Sequence, residues 1–66
     1  MLSKTYQKQV IEEKTELDIK RYRLAVFILN PEFKMLSETE KEQLGRQRRI
    51  MDEYSSILAE RIKAFD

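Results

Sequence analysis

The apolar residues in the first half of the chain recur with a helical period and lie along two faces. From Ser3 to Leu29 the sequence has no Gly or Pro and is mostly Lys, Glu, Gln, Leu, Arg and Ala, which favour helix. On a helical wheel, one face carries Tyr6, Val10, Leu17, Leu24, Phe27 and Ile28. A second face, called here the outer face, carries Ile11, Ile19, Tyr22, Val26 and Leu29. The pattern predicts one helix, about residues 3–29, with two apolar surfaces.

Local signals place the end of this helix and the start of a second. Asn30-Pro31 ends helix one, because a residue before proline is pushed out of the α region. Ser37 and Glu40 match a capping box, in which the serine accepts from the glutamate amide while the glutamate reaches back to the serine amide. Helix two is therefore predicted over about residues 37–64.

With a turn at residues 30–36, these elements predict an all-α fold, an antiparallel two-helix hairpin forming a single domain over residues 1–66. Helix two shows a single broad apolar stripe, formed by Leu44, Ile50, Met51, Tyr54, Ile57, Leu58, Ile62 and Phe65. One helix can cover only one of the two apolar faces of helix one. The outer face is therefore predicted to be uncovered within the chain.

Size strengthens the expectation that a second copy covers the outer face. A 66-residue chain buries only about 60% of its unfolded surface, and this sequence has no Cys or His to supply a disulfide or a metal site. Exposed apolar patches usually mark contact surfaces. The alternative is that Phe33, Met35 and Leu36 fold back over the face, but a short turn cannot reach Ile11. A homo-oligomer of hairpins is expected.

Charge and hydropathy exclude several classes of protein. The 13 Lys and Arg nearly balance the 12 Asp and Glu, leaving a net charge of +1, so no DNA or RNA partner is expected. We interpret the basic residues Arg46, Arg48 and Arg49 as a solvated face of helix two. The alternative is that the chain is a small nucleic-acid regulator that binds through these arginines. No apolar run approaches the roughly 20 residues that span a bilayer, and no signal peptide is evident. We expect a soluble, cytoplasmic protein without a membrane partner.

The residue types in the sequence do not support a catalytic function. Without His, Cys or a Gly-rich loop, the usual nucleophile, general base, phosphate cradle and zinc ligands are missing. Paired carboxylates occur at Glu12-Glu13 and at Asp52-Glu53, but adjacent helical positions point about 100° apart and do not converge. The sequence predicts a protein that is not an enzyme and needs no cofactor or metal.

Cations and one aromatic ring border the outer face of helix one. The sector that includes this face also holds Lys8, Thr15 and Arg23 beside Tyr22, and Arg21 precedes Tyr22 in the run "IKRYRLAVFI". A protomer interface would turn this surface into a cleft offering a ring for a nucleotide base and guanidinium or ammonium donors for phosphate. The alternative is that Arg23 and Lys8 only extend along an interface rim while Tyr22 packs for its area.

Four ordered segments resemble a known family: "YQKQVIEEKTELD" from Tyr6, "RLAVFI", "LSETEKEQL", and "QRRIMDEYSSILAERIKAF" ending at Phe65. Together they are similar to the phage cyclic-nucleotide sponge hairpins, the anti-CBASS and related anti-Thoeris proteins. The resemblance implies a compact helical hexamer that binds cyclic dinucleotides in clefts between protomers, and in some members cyclic trinucleotides, without cleaving them. Such a protein lowers the free concentration of an immune signal in the host cytoplasm during infection.

The resemblance also implies site residues. Arg23 matches the family's basic residue before the leucine of the "FI" segment, Tyr6 matches an aromatic at the start of helix one, and Arg61 matches a basic residue of the trinucleotide site. Lys8 and Arg21 are added by geometry alone, and either Tyr6 or Tyr22 is expected to stack on a base. The rival interpretation, of another class, is an assembly adaptor that docks a different protein on the outer face.

Overall fold

The computed structural model describes residues 3–65 and has two long helices. Helix α1 spans Lys4–Ile28, a 3-10 turn spans Pro31–Met35, and helix α2 spans Glu38–Lys63. The helices pack along their lengths into a rod of 49 × 15 × 13 Å, and no strand occurs within residues 3–65. The predicted all-α helical hairpin is confirmed, and each helix boundary lies within one residue of its expected position.

Both helices begin at a serine whose side chain caps the first turn. Ser3 Oγ accepts from the Tyr6 amide and Ser37 Oγ accepts from the Glu40 amide, each at 3.1 Å. The capping box forms with one difference from the sequence prediction: Ser37 Oγ donates to Glu40 Oε1 at 3.1 Å, so the carboxylate meets the hydroxyl and not the serine amide. The cap therefore satisfies one backbone donor, where the full box satisfies two.

The turn between the helices folds toward the interior of the hairpin. The Asn30 side chain accepts from the Glu32 amide at 2.8 Å and starts the 3-10 turn. Phe33 then meets Phe27 edge-on, with ring centroids 6.2 Å apart. Met35, in contrast, is 85% exposed. Because the turn packs on Phe27, which belongs to the opposite face of helix one, it leaves the outer face uncovered.

The apolar core is thin. Only Val10, Leu17 and Leu58 are buried apolar residues among those described, and only Leu58 is completely enclosed. The partly buried residues packed against them are Tyr6, Met51, Ile62 and Phe65. A core of this size is what a 66-residue hairpin allows, so polar contacts between the helices take on a larger share of the packing specificity.

A polar clamp, formed by Asp18, Arg21, Asp52 and Ser55, joins the helices near their midpoints. The Arg21 guanidinium donates from Nη1 to Asp18 Oδ1 at 2.9 Å and to Ser55 Oγ at 3.0 Å, and from Nε to Asp52 Oδ1 at 2.9 Å. The buried Ser55 hydroxyl donates to Asp18 Oδ1 at 2.7 Å. Because every bond to a charged group is directional, the clamp fixes the register of α2 against α1.

The clamp shifts the protonation equilibria of its charged members. A hydrogen bond from Lys14 Nζ at 2.6 Å, followed by those from Ser55 and Arg21, holds the pKa of Asp18 well below its ordinary range. The carboxylates of Asp18 and Asp52 in turn raise the pKa of Arg21. Both shifts favour the charged forms, so the clamp is an ion-paired network at neutral pH.

Acid should weaken the hairpin through Asp18. Because its pKa is lower in the folded chain than in the unfolded chain, its contribution to stability is complete above the unfolded value of about 4 and is lost as pH falls below it. We expect the melting temperature to fall progressively from about pH 4 downward. Asp18→Asn should lower the melting temperature at pH 7 and flatten this acid dependence.

The matched control is Glu16→Gln, since Glu16 is exposed and has no ion pair within 4 Å among residues 3–65. Thermal melts followed by circular dichroism between pH 2 and pH 7 measure both variants. Wild-type behaviour of Asp18→Asn over that range would contradict a stabilising role for the clamp.

Candidate functional site

The outer face of helix one is open in the hairpin. Its five apolar residues are all exposed, from 46% for Ile11 and Ile19 to 86% for Leu29, and Tyr22 is 71% exposed. Their spacing places them on one side of α1, away from the buried Val10 and Leu17. The predicted uncovered stripe is therefore confirmed as a surface of this chain, and a surface of this kind is typical of a contact site.

Helix α2 also carries an exposed apolar surface, because α1 covers only part of the broad apolar stripe that the sequence predicts on this helix. Ile50, Tyr54 and Ile57 are 65%, 39% and 46% exposed, although they were grouped with Leu58. Ile57 precedes Leu58 by one residue and so points about 100° away from it. The three residues follow i, i+4, i+7 spacing and form a strip beside the core.

Tyr6 and Arg61 meet at the end of the hairpin opposite the turn. The Arg61 guanidinium donates to the Tyr6 hydroxyl and lies 5.8 Å from the centre of its ring. The Tyr6 ring also packs at a tilt on Phe65, 6.4 Å away. Two of the predicted site residues are thus brought together, where they tie the first turn of α1 to the last turn of α2.

Arg21 and Tyr22 lie at the middle of the hairpin beside an open depression of about 260 Å³ between the helices, the inter-helix groove. The residues that line the groove are Asp18, Arg21, Tyr22, Ala25, Arg48 and Asp52. Arg21 contacts both clamp carboxylates, so its charge is largely compensated within the chain. Tyr22 is free to present its ring at the rim of the groove.

Lys8 and Arg23 are exposed cations on α1. The Lys8 ammonium lies 4.0 Å from Glu12 Oε1, while Arg23 has no ion pair within 4 Å among residues 3–65. Arg23 borders a shallow depression of about 250 Å³ shared with Ile19 and Lys20. Fifteen residues of helix separate Lys8 from Arg23, or about 22 Å, so one hairpin cannot bring both to one phosphate.

Arg48 is the residue that sequence reasoning placed differently. It was grouped with Arg46 and Arg49 as a solvated face, yet it lines the inter-helix groove. Its position four residues before Asp52 was the available signal, because residues at i and i+4 share a side of a helix. Asp52 faces α1 because of the way the two helices pair. The sequence pattern of α2 alone does not show this pairing.

Two further observations bear on the kind of site. No group of three or more His, Cys, Asp or Glu is arranged to hold a metal ion within residues 3–65. Neither helix in the described part of the chain has the length and continuous apolar character needed to cross a bilayer. The chemistry that the surface does offer is cationic, aromatic and aliphatic, which suits binding of a flat anionic ligand or a protein.

Comparison with known proteins places the hairpin in a family. The sequence matches the family model described as Sequestin over residues 4–64, which includes both helices and the turn. The chain belongs to the Sequestin family. The name of the Sequestin family points to a sequestering role, that is, to binding. No curated protein and no solved structure matches the chain.

The two arginines beside Tyr22 should behave differently when removed from this Sequestin-family protein. Arg21→Ala leaves the carboxylates of Asp18 and Asp52 without their shared donor, and should lower the free energy of unfolding by about 1–2 kcal/mol after allowance for partial exposure. Arg23→Ala removes no ion pair within residues 3–65 and should change the free energy of unfolding by less than about 0.5 kcal/mol. Urea denaturation at one protein concentration measures both, and equal losses would show that the clamp adds no stability.

Proposed function

We propose that this Sequestin-family protein binds cyclic oligonucleotide second messengers, chiefly cyclic dinucleotides and secondarily cyclic trinucleotides, and holds them without degrading them. In the cytoplasm of an infected host cell, this would lower the free signal and block CBASS-type antiphage defence. The observation that supports the proposal best is the exposed outer face with Tyr22, Arg23 and Lys8 along it. The family name and the four matching sequence segments point the same way.

The ligand class follows from the groups on this surface. A cyclic dinucleotide presents two phosphates and two flat bases, so it needs cationic donors and stacking surfaces in pairs. Arg23 supplies a guanidinium that is not neutralised by a carboxylate within residues 3–65, and Tyr22 supplies an exposed ring. A two-fold symmetric interface duplicates each group, which matches the two-fold chemistry of the ligand.

The distance between Lys8 and Arg23 favours a site shared by two protomers. Thr15 lies on the same side of α1 as the outer face, with Ile11 and Ile19 four residues on either side and Lys8 and Tyr22 seven residues on either side. In a two-fold antiparallel packing of outer faces about Thr15, Ile11 of one protomer meets Ile19 of the other. The same packing sets Lys8 of one protomer beside Tyr22 and Arg23 of the other, twice.

The centre of this packing is suited to burial. Thr15 Oγ1 donates to the Ile11 carbonyl at 3.1 Å, so its hydroxyl is already hydrogen-bonded within the helix. Burying it against a second copy would leave no unsatisfied donor, which would otherwise cost about 1–3 kcal/mol. The outer face thus combines aliphatic area for assembly with cations that remain at its edges to meet a ligand.

Ile19→Glu should dissociate the proposed oligomer, because it would bury an unpaired carboxylate against the second protomer. Sedimentation velocity should show a smaller species for this variant while circular dichroism still shows helix. Gln9→Glu is the matched control, since it adds the same charge at an exposed position of α1 that points off the outer face. An unchanged sedimentation mass for Ile19→Glu would mean that the interface lies elsewhere.

Ligand binding is tested by titration calorimetry with a panel of cyclic di- and trinucleotides. At least one of these nucleotides should bind, and it should be recovered chemically unchanged afterwards. Arg23→Ala should weaken this binding about tenfold or more through loss of charge-assisted hydrogen bonds. Arg49→Ala, which removes an exposed arginine outside the groove, should not. The absence of heat and of any thermal shift across the panel at large excess would reject the function.

A second candidate function is that of a small assembly adaptor. It is favoured by the strip of Ile50, Tyr54 and Ile57 on α2, which gives the hairpin a second apolar surface in addition to the outer face. An adaptor should be monomeric in isolation and should retain a stable heteropartner in a pull-down from infected cells. The same experiment distinguishes it from the sponge, which should release small cyclic nucleotides on denaturation.

A further inference from the structure

The inter-helix groove contains hydrogen-bonding groups suited to the edge of a purine, in addition to surfaces for its faces. We propose that this groove takes a guanine base in preference to adenine, and that Tyr22, Arg48 and Asp52 are the groups that select it. This inference rests on the proposed function, which it narrows to guanine-containing cyclic nucleotides. Arg48 and Asp52 lie on α2 and do not belong to the outer face of α1.

Two planar groups from different helices border the groove. The Tyr22 ring, from α1, is 71% exposed. The Arg48 guanidinium, from α2, is exposed and has no ion pair within 4 Å among residues 3–65. Tyrosine rings and guanidinium planes both stack on nucleobases. Ala25 also lines the groove, and its side chain is a single methyl group that takes up little of the space.

Asp52 supplies the group that distinguishes the purines. Its Oδ1 accepts from Arg21 Nε at 2.9 Å, whereas its Oδ2 has no hydrogen-bond partner within residues 3–65. A carboxylate only accepts, and each of its oxygens has two lone pairs. Guanine presents two adjacent donors, its ring N1–H and its exocyclic amino group, which can reach one carboxylate together. Adenine presents one amino group beside an acceptor nitrogen, whose lone pair would face the carboxylate.

The clamp holds this carboxylate in place before any ligand arrives. Arg21 is bonded to Asp18 and Ser55 as well as to Asp52, so the guanidinium that orients Asp52 is itself fixed from both helices. A prepositioned acceptor discriminates better than a mobile one, because little ordering remains to be done on binding. A bidentate contact of this kind is expected to favour guanine about tenfold.

The groove and the outer face share Tyr22. A base lying against the groove side of this ring is therefore at the edge of the outer face, where Lys8 of a second protomer is proposed to lie. Arg23 points about 100° further round α1 than Tyr22 and borders a separate depression, so it does not line the groove. Base selection by Asp52 and phosphate binding by Arg23 are consequently separable by mutation.

The test compares cyclic di-GMP with cyclic di-AMP by titration calorimetry on the full chain. Wild type should bind cyclic di-GMP about tenfold more tightly. Asp52→Asn should bring the affinity ratio close to one, because an amide can donate to the adenine ring nitrogen. Arg48→Ala should weaken both ligands through lost stacking, and Arg49→Ala should weaken neither.

Equal affinities for the two ligands in wild type, or a ratio unchanged in Asp52→Asn, would overturn the guanine preference and leave the proposed function standing. No binding of either ligand or of a cyclic trinucleotide would overturn both. Circular dichroism checks that Asp52→Asn, which loses a clamp contact, is folded. If Asp52→Asn is not folded, the guanine preference is judged from the affinity ratio of wild type for the two ligands and from the affinities of Arg48→Ala. Arg48→Ala should fold, since Arg48 makes no hydrogen bond or ion pair within residues 3–65.

Discussion

The contact on which the hairpin most depends is the guanidinium of Arg21 held between two carboxylates and a buried hydroxyl. A core with only three buried apolar residues among those described can tolerate sliding of one helix past the other, since aliphatic contacts are not directional. Bonds from Arg21 to Asp18, Asp52 and Ser55 exist only in one register. That register brings Arg48 and Tyr22 to the same groove, so the proposed recognition chemistry depends on the same bonds.

The features that sequence could predict were local ones. Asn30-Pro31 and the serine at position 37 fix the helix ends through backbone sterics and a side-chain cap, neither of which depends on the rest of the chain. The outer face was equally accessible, because one helix cannot cover two faces of another. The prediction of an uncovered face requires only the helical period of the apolar residues and the presence of two helices in the chain.

The features that sequence could not predict depend on pairing between the helices. Arg21 and Arg23 are neighbouring cations in one basic run. Besides its bond to Asp18 on the same helix, Arg21 bonds Asp52 and Ser55, 31 and 34 residues away, and these contacts across the hairpin depend on how the helices pair. The exposed strip on α2 was missed for the same reason: a broad apolar stripe on a wheel does not say which edge the partner helix covers. Arg48 lines the groove because of which edge of this stripe α1 covers.

The contact between Arg61 and Tyr6 has a consequence for any ligand that reaches that end of the hairpin. The Arg61 guanidinium is already engaged with the tyrosine hydroxyl and lies over its ring. An anion that draws Arg61 away from the tyrosine breaks this contact, and by thermodynamic linkage its binding free energy is then reduced by the cost of breaking it. Occupancy of that end and the tightness with which the two helix ends are joined are then coupled quantities, and one can be measured through the other.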